Sequence, residues 1–258
     1  MKNLEKRIQL SIVSGFLGSG KTTFLQHKIF QKDNRSSCLV INEAGDISID
    51  DVLIEDKITK IKISGGCICC DCNSQFINEM IKLCSKHNHS DTSSKSRIDT
   101  ILVETSGISD PKAIYDSIVE HPILGRNIML HEIVVLLGAV DRNNFVSDPL
   151  IAKQLASADK IYITKTDLAS NKEISEKYNF ARYLNPTADI RACSRGQIHD
   201  LEEQQTEEIK LNSPPEINSA DHQNYETFII DLDDLTDWNC LVVWVSALLS
   251  CHGDKILR

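Results

Sequence analysis

The sequence predicts an α/β protein with a three-layer α/β/α domain around a mainly parallel β-sheet. Two observations carry this prediction: short runs dense in Ile, Val and Leu, and segments with helical periodicity between them. Near-continuous apolar runs are typical of strands that are buried on both faces of a parallel sheet. Strands that alternate with helices indicate β–α–β units, which place helices on both faces of that sheet.

The predicted strands and helices follow one another in regular order. Strands are expected in IQLSIVSG, CLVIN, ITKIKIS, DTILVETSG, HEIVVLLGAVD and KIYITKTD. Helices are expected in KTTFLQHKIFQ, NSQFINEMIKLCSK, DPKAIYDSIVEH and DPLIAKQLASA. The last two helices open with Asp-Pro, a helix-capping residue followed by a residue favoured at the first helical position.

Composition and charge narrow the classes of function. The chain has 258 residues, of which 41% are hydrophobic and 25% charged, as in a globular protein. Its net charge of −9 argues against a nucleic-acid partner, because such proteins usually carry a basic surface. No apolar run approaches the roughly 20 residues that cross a bilayer, and the first residues lack a signal-peptide pattern. We therefore expect a cytoplasmic protein without a membrane partner, whose nine cysteines are thiols or metal ligands rather than disulfides.

Two polar segments suggest how the chain is divided. Residues 85–97 are rich in Ser and are predicted to form an exposed loop. Residues 204–223 are acidic, contain a Pro pair and are predicted to be a linker. The main domain is thus expected over residues 1–203, and residues 224–258 are expected to form an incomplete C-terminal α+β segment. One predicted strand and one amphipathic helix are too little for an independent unit.

A phosphate-binding loop is predicted at residues 15–22, where GFLGSGKT satisfies the pattern G-x-x-x-x-G-K-[ST]. Its glycines let the backbone wrap closely around a phosphate, and the helix that starts near Lys21 adds the positive end of its dipole. Lys21 is predicted to bind the β- and γ-phosphates, and the Thr22 hydroxyl to ligate Mg²⁺. A strand before the motif and a helix after it indicate a P-loop NTPase rather than a chance glycine-rich turn. The predicted nucleotide contacts in this loop are Gly15, Gly18, Ser19, Gly20, Lys21, Thr22 and Thr23.

A nucleotide hydrolase also needs an acidic group at the end of a second strand. The run ILVETSG supplies Glu104 there, and Gly107 follows at a spacing that suits a backbone N–H directed at the γ-phosphate. Glu104 is predicted to hold the magnesium together with Thr22, and Lys21 and Glu104 are the predicted catalytic residues. The alternative is that Glu104 only caps its strand.

The segment YITKTD indicates which base is bound. Asp167 can accept two hydrogen bonds from the N1–H and the exocyclic amine of guanine, whereas adenine offers no such pair of donors. Lys165 can lay its alkyl chain along the plane of the base. GTP is therefore the predicted nucleotide.

Residues 65–72, GGCICCDC, hold four cysteines within six positions. Cys67 and Cys70 have the C-x-x-C spacing that chelates zinc, and Cys69 adds a third sulfur. A structural zinc site would need a fourth protein ligand, whereas three sulfurs with one exchangeable position suit a site that takes up and releases metal. Two alternatives stay open at this point: a thiol redox switch, and buried cysteines without chemistry.

The order of the P-loop, ETSG, TKTD and GGCICC motifs resembles that of the CobW-type P-loop GTPases, metallochaperones that include zinc-delivery proteins. The resemblance implies Mg²⁺-dependent hydrolysis of GTP to GDP, a transition metal at Cys67, Cys69 and Cys70, and delivery to an apo-metalloprotein client. Zn²⁺ is the expected metal, with Co²⁺ as an alternative. The resemblance also implies that Glu43, in INEAGDISIDD, lies near this metal or couples it to the nucleotide, and that residues 43–51 act as a switch.

Two departures from the family pattern affect these expectations. Thr164 stands where GTPases more generally have Asn, and residues 224–258 resemble only the start of the family's C-terminal domain. Two other functions remain compatible with the motifs: a metal buffer, and a redox-sensing nucleotide-binding protein without delivery activity. No catalytic Arg is assigned by the sequence.

Overall fold

The computed structural model describes residues 7–31, 36–43, 59–64, 73–89, 98–140, 148–202 and 238–252. The chain divides into two units, Met1–Asn218 and Ser219–Arg258. The predicted α/β class is confirmed, and the fold described below belongs to the first unit. In the second unit, the described element is a helix at Trp238–His252, which we label α7. The predicted strand and linker before it lie outside the described residues.

The first unit is built on an eight-stranded sheet with the order β3-β2-β4-β1-β5-β6-β7-β8. Its neighbouring strands are parallel, except that β8 runs antiparallel to β7. The strands are β1 (Ile8–Gly15), β2 (Ser37–Glu43), β3 (Thr59–Ser64), β4 (Thr100–Glu104), β5 (Ile128–Gly138), β6 (Lys160–Thr164), β7 (Asp189–Ser194) and β8 (Gln197–His199). Because β1 and β4 are parallel neighbours, the loops that follow them lie at the same edge of the sheet.

Six described helices connect these strands. They are α1 (Lys21–Gln31), α2 (Asn73–His89), α3 (Pro111–Glu120), α4 (Leu124–Asn127), α5 (Pro149–Ala156) and α6 (Asn171–Leu184). The two predicted Asp-Pro starts are confirmed: Asp110 accepts a hydrogen bond from the backbone N–H of Lys112, and Asp148 from that of Leu150. A capping box between Ser170 and Glu173 starts α6.

Alternate strand residues form two hydrophobic clusters, one on each face of the sheet. In β1, Leu10 and Ile12 belong to the larger cluster with residues of α2, α3, α5 and α6, while Val13 belongs to the smaller one with Phe24 and Leu25 of α1. This division follows from the two-residue period of a strand and gives the three predicted layers.

A buried ion cluster fixes α1 to the sheet. Glu132 of β5 is 6% exposed and accepts a hydrogen bond from Lys28 Nζ at 2.6 Å and one from Lys160 Nζ at 2.9 Å. Burial acts to raise the pKa of Glu132, but the hydrogen bonds and positive charges of the two lysines outweigh it and lower this pKa to about 2. The helix that follows the P-loop is thereby held at its far end.

One sequence expectation outside the candidate site needs correction. The polar segment 85–97 is not a loop throughout, because α2 continues to His89. His87 is 5% exposed, and its Nδ1 lies 2.7 Å from the carbonyl oxygen of Ile98. None of the described helices combines the length and the hydropathy that crossing a membrane requires.

Candidate functional site

The loop between β1 and α1 has the backbone geometry that its glycines allow. A Cβ added at Gly15 would lie 2.4 Å from the carbonyl oxygen of Leu136 on β5, so only glycine fits there. Gly18 and Gly20 have φ angles of +77° and +88°, in the left-handed region, and an added Cβ at either would meet no atom within 4 Å. The space beside these two glycines is therefore open, which suits a loop that folds around a phosphate.

Polar groups of this loop are arranged for an anionic ligand. Lys21 Nζ donates to the carbonyl oxygens of Gly15 at 2.7 Å and Phe16 at 3.0 Å, which holds the ammonium group close to the loop backbone. Ser19 Oγ is buried and has no hydrogen-bond partner among the described residues. A phosphate oxygen would satisfy such a hydroxyl, and a buried polar group without a partner is uncommon in a folded protein. The loop thus fits the phosphate group that its sequence predicts.

Thr22 and Glu104 come together from elements that are far apart in the sequence. Thr22 Oγ1 donates to Glu104 Oε1 at 3.3 Å, and the two residues are 82 positions apart. Glu104 is buried at the end of β4, where it pairs in register with Val13 of β1. Hydroxyl and carboxylate oxygens are ligands that Mg²⁺ prefers, so this pair fits the predicted magnesium site.

The loop after β4, residues 105–109, lies against the P-loop. Thr105 donates through its backbone N–H to Val13 O at 3.0 Å and through Oγ1 to Ser14 Oγ at 3.0 Å. A Cβ at Gly107 would be 2.7 Å from the backbone nitrogen of Leu17, so glycine is required by this close approach. The structure therefore brings Gly107 beside the phosphate loop, as its sequence position predicts.

The predicted base-binding residues follow β6 at the same edge of the sheet. Lys165 has φ 59° and ψ 32°, a left-handed conformation, and leads into a 3₁₀ turn at Thr166–Leu168 that carries Asp167. Asp167 Oδ2 accepts a hydrogen bond from Arg195 Nε at 3.2 Å. The Arg195 side chain is 87% exposed, so this ion pair lies at the surface.

Sequence reasoning missed Arg195, because β7 and the turn after it were not recognised. The turn brings Arg195 and Gly196 next to α1: a Cβ at Gly196 would lie 2.6 Å from His27 Cβ and 3.0 Å from Thr23 O. Thr23, a predicted nucleotide contact, is exposed in the first turn of α1. The short polar Ser-Arg-Gly sequence after an alternating stretch was the signal that could have located this turn.

Thr164 connects the base side to the phosphate loop. Its hydroxyl is buried and donates to the carbonyl oxygen of Ser19 at 2.7 Å. The sequence marks this threonine only as a departure from the usual Asn. The structure supplies a reason why a hydroxyl serves here, since it reaches a P-loop carbonyl from the end of β6.

The predicted metal cluster lies mostly outside the described residues. Cys67, Cys69 and Cys70 are not among them, and Glu43 is described only as the last residue of β2. Within the described parts of the chain, no group of three or more His, Cys, Asp or Glu side chains could hold a metal ion.

Three described cysteines outside the cluster are buried free thiols. Burial raises the pKa of Cys38 to about 12 and that of Cys84 to about 11, and it raises the pKa of Cys193 as well. Such thiols stay protonated and are poor metal ligands. Cys251 of α7 is also a free thiol, and it is exposed.

Comparison with known proteins agrees with this arrangement. The family described as "CobW/HypB/UreG, nucleotide-binding domain" matches residues 9–191. The zinc chaperone YjiA of Escherichia coli strain K12 is 30% identical over 260 residues, which cover 97% of this chain and 80% of that protein. The zinc chaperone CobW of a Sinorhizobium species is 26% identical over 303 residues, covering 95% of this chain and 79% of that protein.

A solved structure shows the same fold. The Zn(II)-bound YjiA GTPase from E. coli superposes with a TM-score of 0.53 at 25% identity, over 76% of this chain. The superposed part is 60% of the length of that solved chain, which is less than two thirds. Because the family match spans most of the chain and agrees with the P-loop geometry, this protein belongs to the CobW/HypB/UreG family of P-loop GTPases.

Proposed function

We propose that this protein is a GTP-hydrolysing metallochaperone, which binds Zn²⁺ through Cys67, Cys69 and Cys70 and delivers it to an apo-metalloprotein client. The observation that carries the hydrolase part is the Thr22–Glu104 contact beside the P-loop. It joins a hydroxyl and a carboxylate at the place where a bound magnesium ion would be needed. The zinc part is supported by the cysteine spacing and by similarity to proteins named zinc chaperones.

The proposed hydrolysis uses groups that the fold has brought to one edge of the sheet. Lys21 binds and neutralises the β- and γ-phosphates, and the backbone N–H groups of the glycine loop orient them. Thr22 and Glu104 would hold Mg²⁺, which would neutralise the negative charge that builds up on the phosphates. Gly107 directs its N–H at the γ-phosphate. Glu104 is proposed to act as a magnesium ligand rather than as a base, because its carboxylate already faces the Thr22 hydroxyl.

Guanine recognition is assigned to Asp167 and Lys165. Arg195 Nε occupies one acceptor position, on Oδ2 of the Asp167 carboxylate, so it competes there with the N1–H and the exocyclic amine of guanine. The remaining contacts in the proposed nucleotide site are made by Gly15, Gly18, Ser19, Gly20 and Thr23.

Delivery of zinc is proposed to follow the state of the nucleotide. Residues 43–51 follow β2 in the sequence, and β2 lies beside β4 in the sheet. Glu43 is proposed to contribute to the metal site of the three cysteines. Loss of the γ-phosphate would change the conformation of this segment and release the metal to the client. The proposal includes the domain limits 1–203, 204–223 and 224–258 and a reducing, cytoplasmic setting in which the thiolates persist.

The test measures zinc affinity and zinc release by competition with a chelating dye on reduced protein. Affinity is compared with Mg²⁺ plus a non-hydrolysable GTP analogue and with Mg²⁺ plus GDP. We expect a clear difference between the two nucleotide states, which is abolished in the double variant Cys67→Ser with Cys70→Ser. Cys251→Ser is the matched control, because it removes an exposed thiol outside the cluster.

Each result decides between the proposed functions. Equal zinc affinities in the two nucleotide states would mean that the sites are uncoupled, which favours a metal buffer. Zinc binding that survives the double variant would overturn the assignment of the cysteines. Absence of GTP hydrolysis by the wild-type protein would overturn the enzymatic part.

A further inference from the structure

Gln154 is a buried polar side chain that none of the sequence motifs includes. It lies on α5 between the buried residues Ile151 and Leu155, and it is 1% exposed. A primary amide at such a position needs hydrogen-bond partners, because a buried polar group without them destabilises the folded protein. The hydrogen-bond acceptors of Gln154 therefore show which part of the protein α5 supports.

The partners of Gln154 are carbonyl groups of the loop after β4. Its Nε2 donates to Ser109 O at 2.8 Å and lies 3.5 Å from Gly107 O. The separations in sequence are 45 and 47 residues, so α5 supports this loop through a long-range contact. Gln154 thus holds the carbonyl side of the loop that carries Gly107.

The loop is also fixed by contacts within itself and with the P-loop. Ser109 N donates to Ser106 O at 3.1 Å, and the hydroxyl oxygens of the same two serines are 2.7 Å apart. On another side, Gly107 packs against Leu17 so closely that no Cβ would fit. Residues 105–109 are buried except for Ile108, which is 52% exposed.

A glycine needs such external support if its N–H is to point in one direction. Glycine has more backbone freedom than other residues, so the orientation of its peptide groups is set by what surrounds them. Leu17 limits the position of the Gly107 Cα. The Gly107 N–H belongs to the peptide group whose oxygen is Ser106 O, and this oxygen accepts a hydrogen bond from Ser109 N at 3.1 Å. Gln154 in turn holds the carbonyl oxygen of Ser109. The hydrogen bond to Ser109 is short and buried, so it can be lost only at a cost.

We propose that Gln154 is a positioning residue for GTP hydrolysis: it holds the loop so that the Gly107 N–H faces the γ-phosphate. This inference rests on the proposed function. Gln154 acts through the loop and does not touch the nucleotide. GDP has no γ-phosphate, so its binding depends on the P-loop and the base site and is independent of Gln154. The effect of Gln154 is therefore confined to steps that involve the γ-phosphate.

The experiment replaces Gln154 by methionine, which has a similar volume but cannot donate to the two carbonyls. We expect kcat for GTP hydrolysis to fall about tenfold, with GDP affinity unchanged within about twofold. The ratio of affinities for a non-hydrolysable GTP analogue and GDP should fall as well. Gln154→Leu repeats the measurement if the methionine variant does not fold.

Ser157→Ala provides a control on the same helix. Ser157 is buried and donates through Oγ to the backbone carbonyl of Gln154 at 3.0 Å, so its removal perturbs α5 without removing the contacts to the loop. We expect wild-type kcat for this variant, even if its melting temperature falls. If kcat fell as much in Ser157→Ala as in Gln154→Met, the loss would reflect a general perturbation of α5, and Gln154 would have only a structural role.

Two further results would overturn the inference. One is a Gln154→Met protein that hydrolyses GTP at the wild-type rate. The other is an equal loss of GDP and GTP-analogue affinity, which would indicate general damage to the site. Hydrolysis by the wild-type protein is measured first, because its absence contradicts the proposed function and not this inference. If the wild-type protein does not hydrolyse GTP, the ratio of its affinities for the GTP analogue and GDP, compared with that of Gln154→Met, still tests the role of Gln154.

Discussion

The phosphate side and the base side of the candidate site are held in different ways. On the phosphate side, buried or partly buried hydrogen bonds connect the loops: Thr22 to Glu104, Thr105 to Ser14, and Gln154 to Ser109. On the base side, the contact to the predicted specificity residue is the surface ion pair of Asp167 and Arg195. The first set of contacts is shielded from water, and the second is not.

This difference indicates that the phosphate side is preorganised and the base side adaptable. Breaking a buried hydrogen bond leaves a polar group without a partner, which costs about 1–3 kcal/mol, whereas an exposed ion pair contributes about 0–1 kcal/mol. A nucleotide can therefore displace Arg195 easily, but it meets a phosphate loop that is already formed. Thr164 connects the two sides through its bond to Ser19.

The largest effect is expected from Lys21→Ala on the phosphate side. Removing the ammonium group should lower the affinity for both GDP and GTP about 100-fold, because charged hydrogen bonds to phosphate contribute about 1.5–3 kcal/mol. Titration with a fluorescent guanine nucleotide measures this. Lys172→Ala, at an exposed position at the start of α6, is the control and should bind normally. Wild-type affinity in Lys21→Ala would contradict the assignment of the phosphate site.

The second prediction concerns the anchoring of the P-loop helix by Glu132. Because the pKa of Glu132 is lowered from 4.5 to about 2 in the folded protein, the stabilisation is present above about pH 4.5 and is lost as the pH falls toward about 2. The free energy of unfolding should therefore decrease by about 2–3 kcal/mol over this range through this residue. Urea unfolding as a function of pH measures it.

The control for this prediction is Glu132→Gln, in which the group at this position no longer titrates. Its free energy of unfolding should be lower at neutral pH and should decrease less steeply between pH 4.5 and 2 than that of the wild type. Identical slopes for the two proteins would show that the Lys28–Glu132–Lys160 cluster does not hold α1 in the way the distances indicate.

A smaller effect is expected from Thr164→Val, which tests the connection between the two sides. Valine has the shape of threonine but leaves Ser19 O without this donor, so nucleotide affinity should fall about three- to tenfold. Thr166→Val is the matched control, since its hydroxyl makes only longer contacts, 3.4 Å to Cys193 O and 3.4 Å to His199 Nε2. Equal losses of nucleotide affinity in Thr164→Val and Thr166→Val would contradict the view that the Thr164 hydroxyl connects the two sides of the site.

The smallest effect is expected from Arg195→Ala on the base side. If Arg195 only competes with guanine for Asp167, removing it should raise GDP affinity by up to about fivefold, which corresponds to a surface ion pair. Arg191→Ala is the control, because Arg191 pairs with Asp189 on the same strand at 3.1 Å. A weaker affinity in Arg195→Ala would mean that Arg195 contacts the nucleotide, and the base side would then be less adaptable than the comparison suggests.

Local sequence determined the elements that carry the motifs. β1 and α1 have the predicted bounds, because a run rich in Ile, Leu and Val leads into a P-loop whose glycines allow the left-handed backbone of the turn. The starts of α3 and α5 follow from Asp-Pro pairs, which act on the backbone next to them. These signals depend on neighbouring residues and can therefore be read without the fold.

Weaker local signals were misread. β7, with the sequence DIRACS, alternates buried and exposed residues near the edge of the sheet and lacks a continuous apolar run. In α2, Leu83, Cys84 and His87 share one buried face, so the polar residues around His87 are helical. The sequence predicts a loop around His87 because residues 85–97 are polar and rich in Ser, whereas the contact of His87 with the carbonyl oxygen of Ile98 lies outside the helix and depends on the fold.

The sequence by itself determined the fold class, the P-loop and the residue types available for binding phosphate, guanine and metal. Only the tertiary structure decided which distant groups meet: Thr22 with Glu104, Thr164 with Ser19, and Gln154 with Ser109. The physical reason is that periodicity and turn chemistry act over a few residues. A hydrogen bond between residues tens of positions apart depends instead on strand order and register, which the packing of the whole sheet sets.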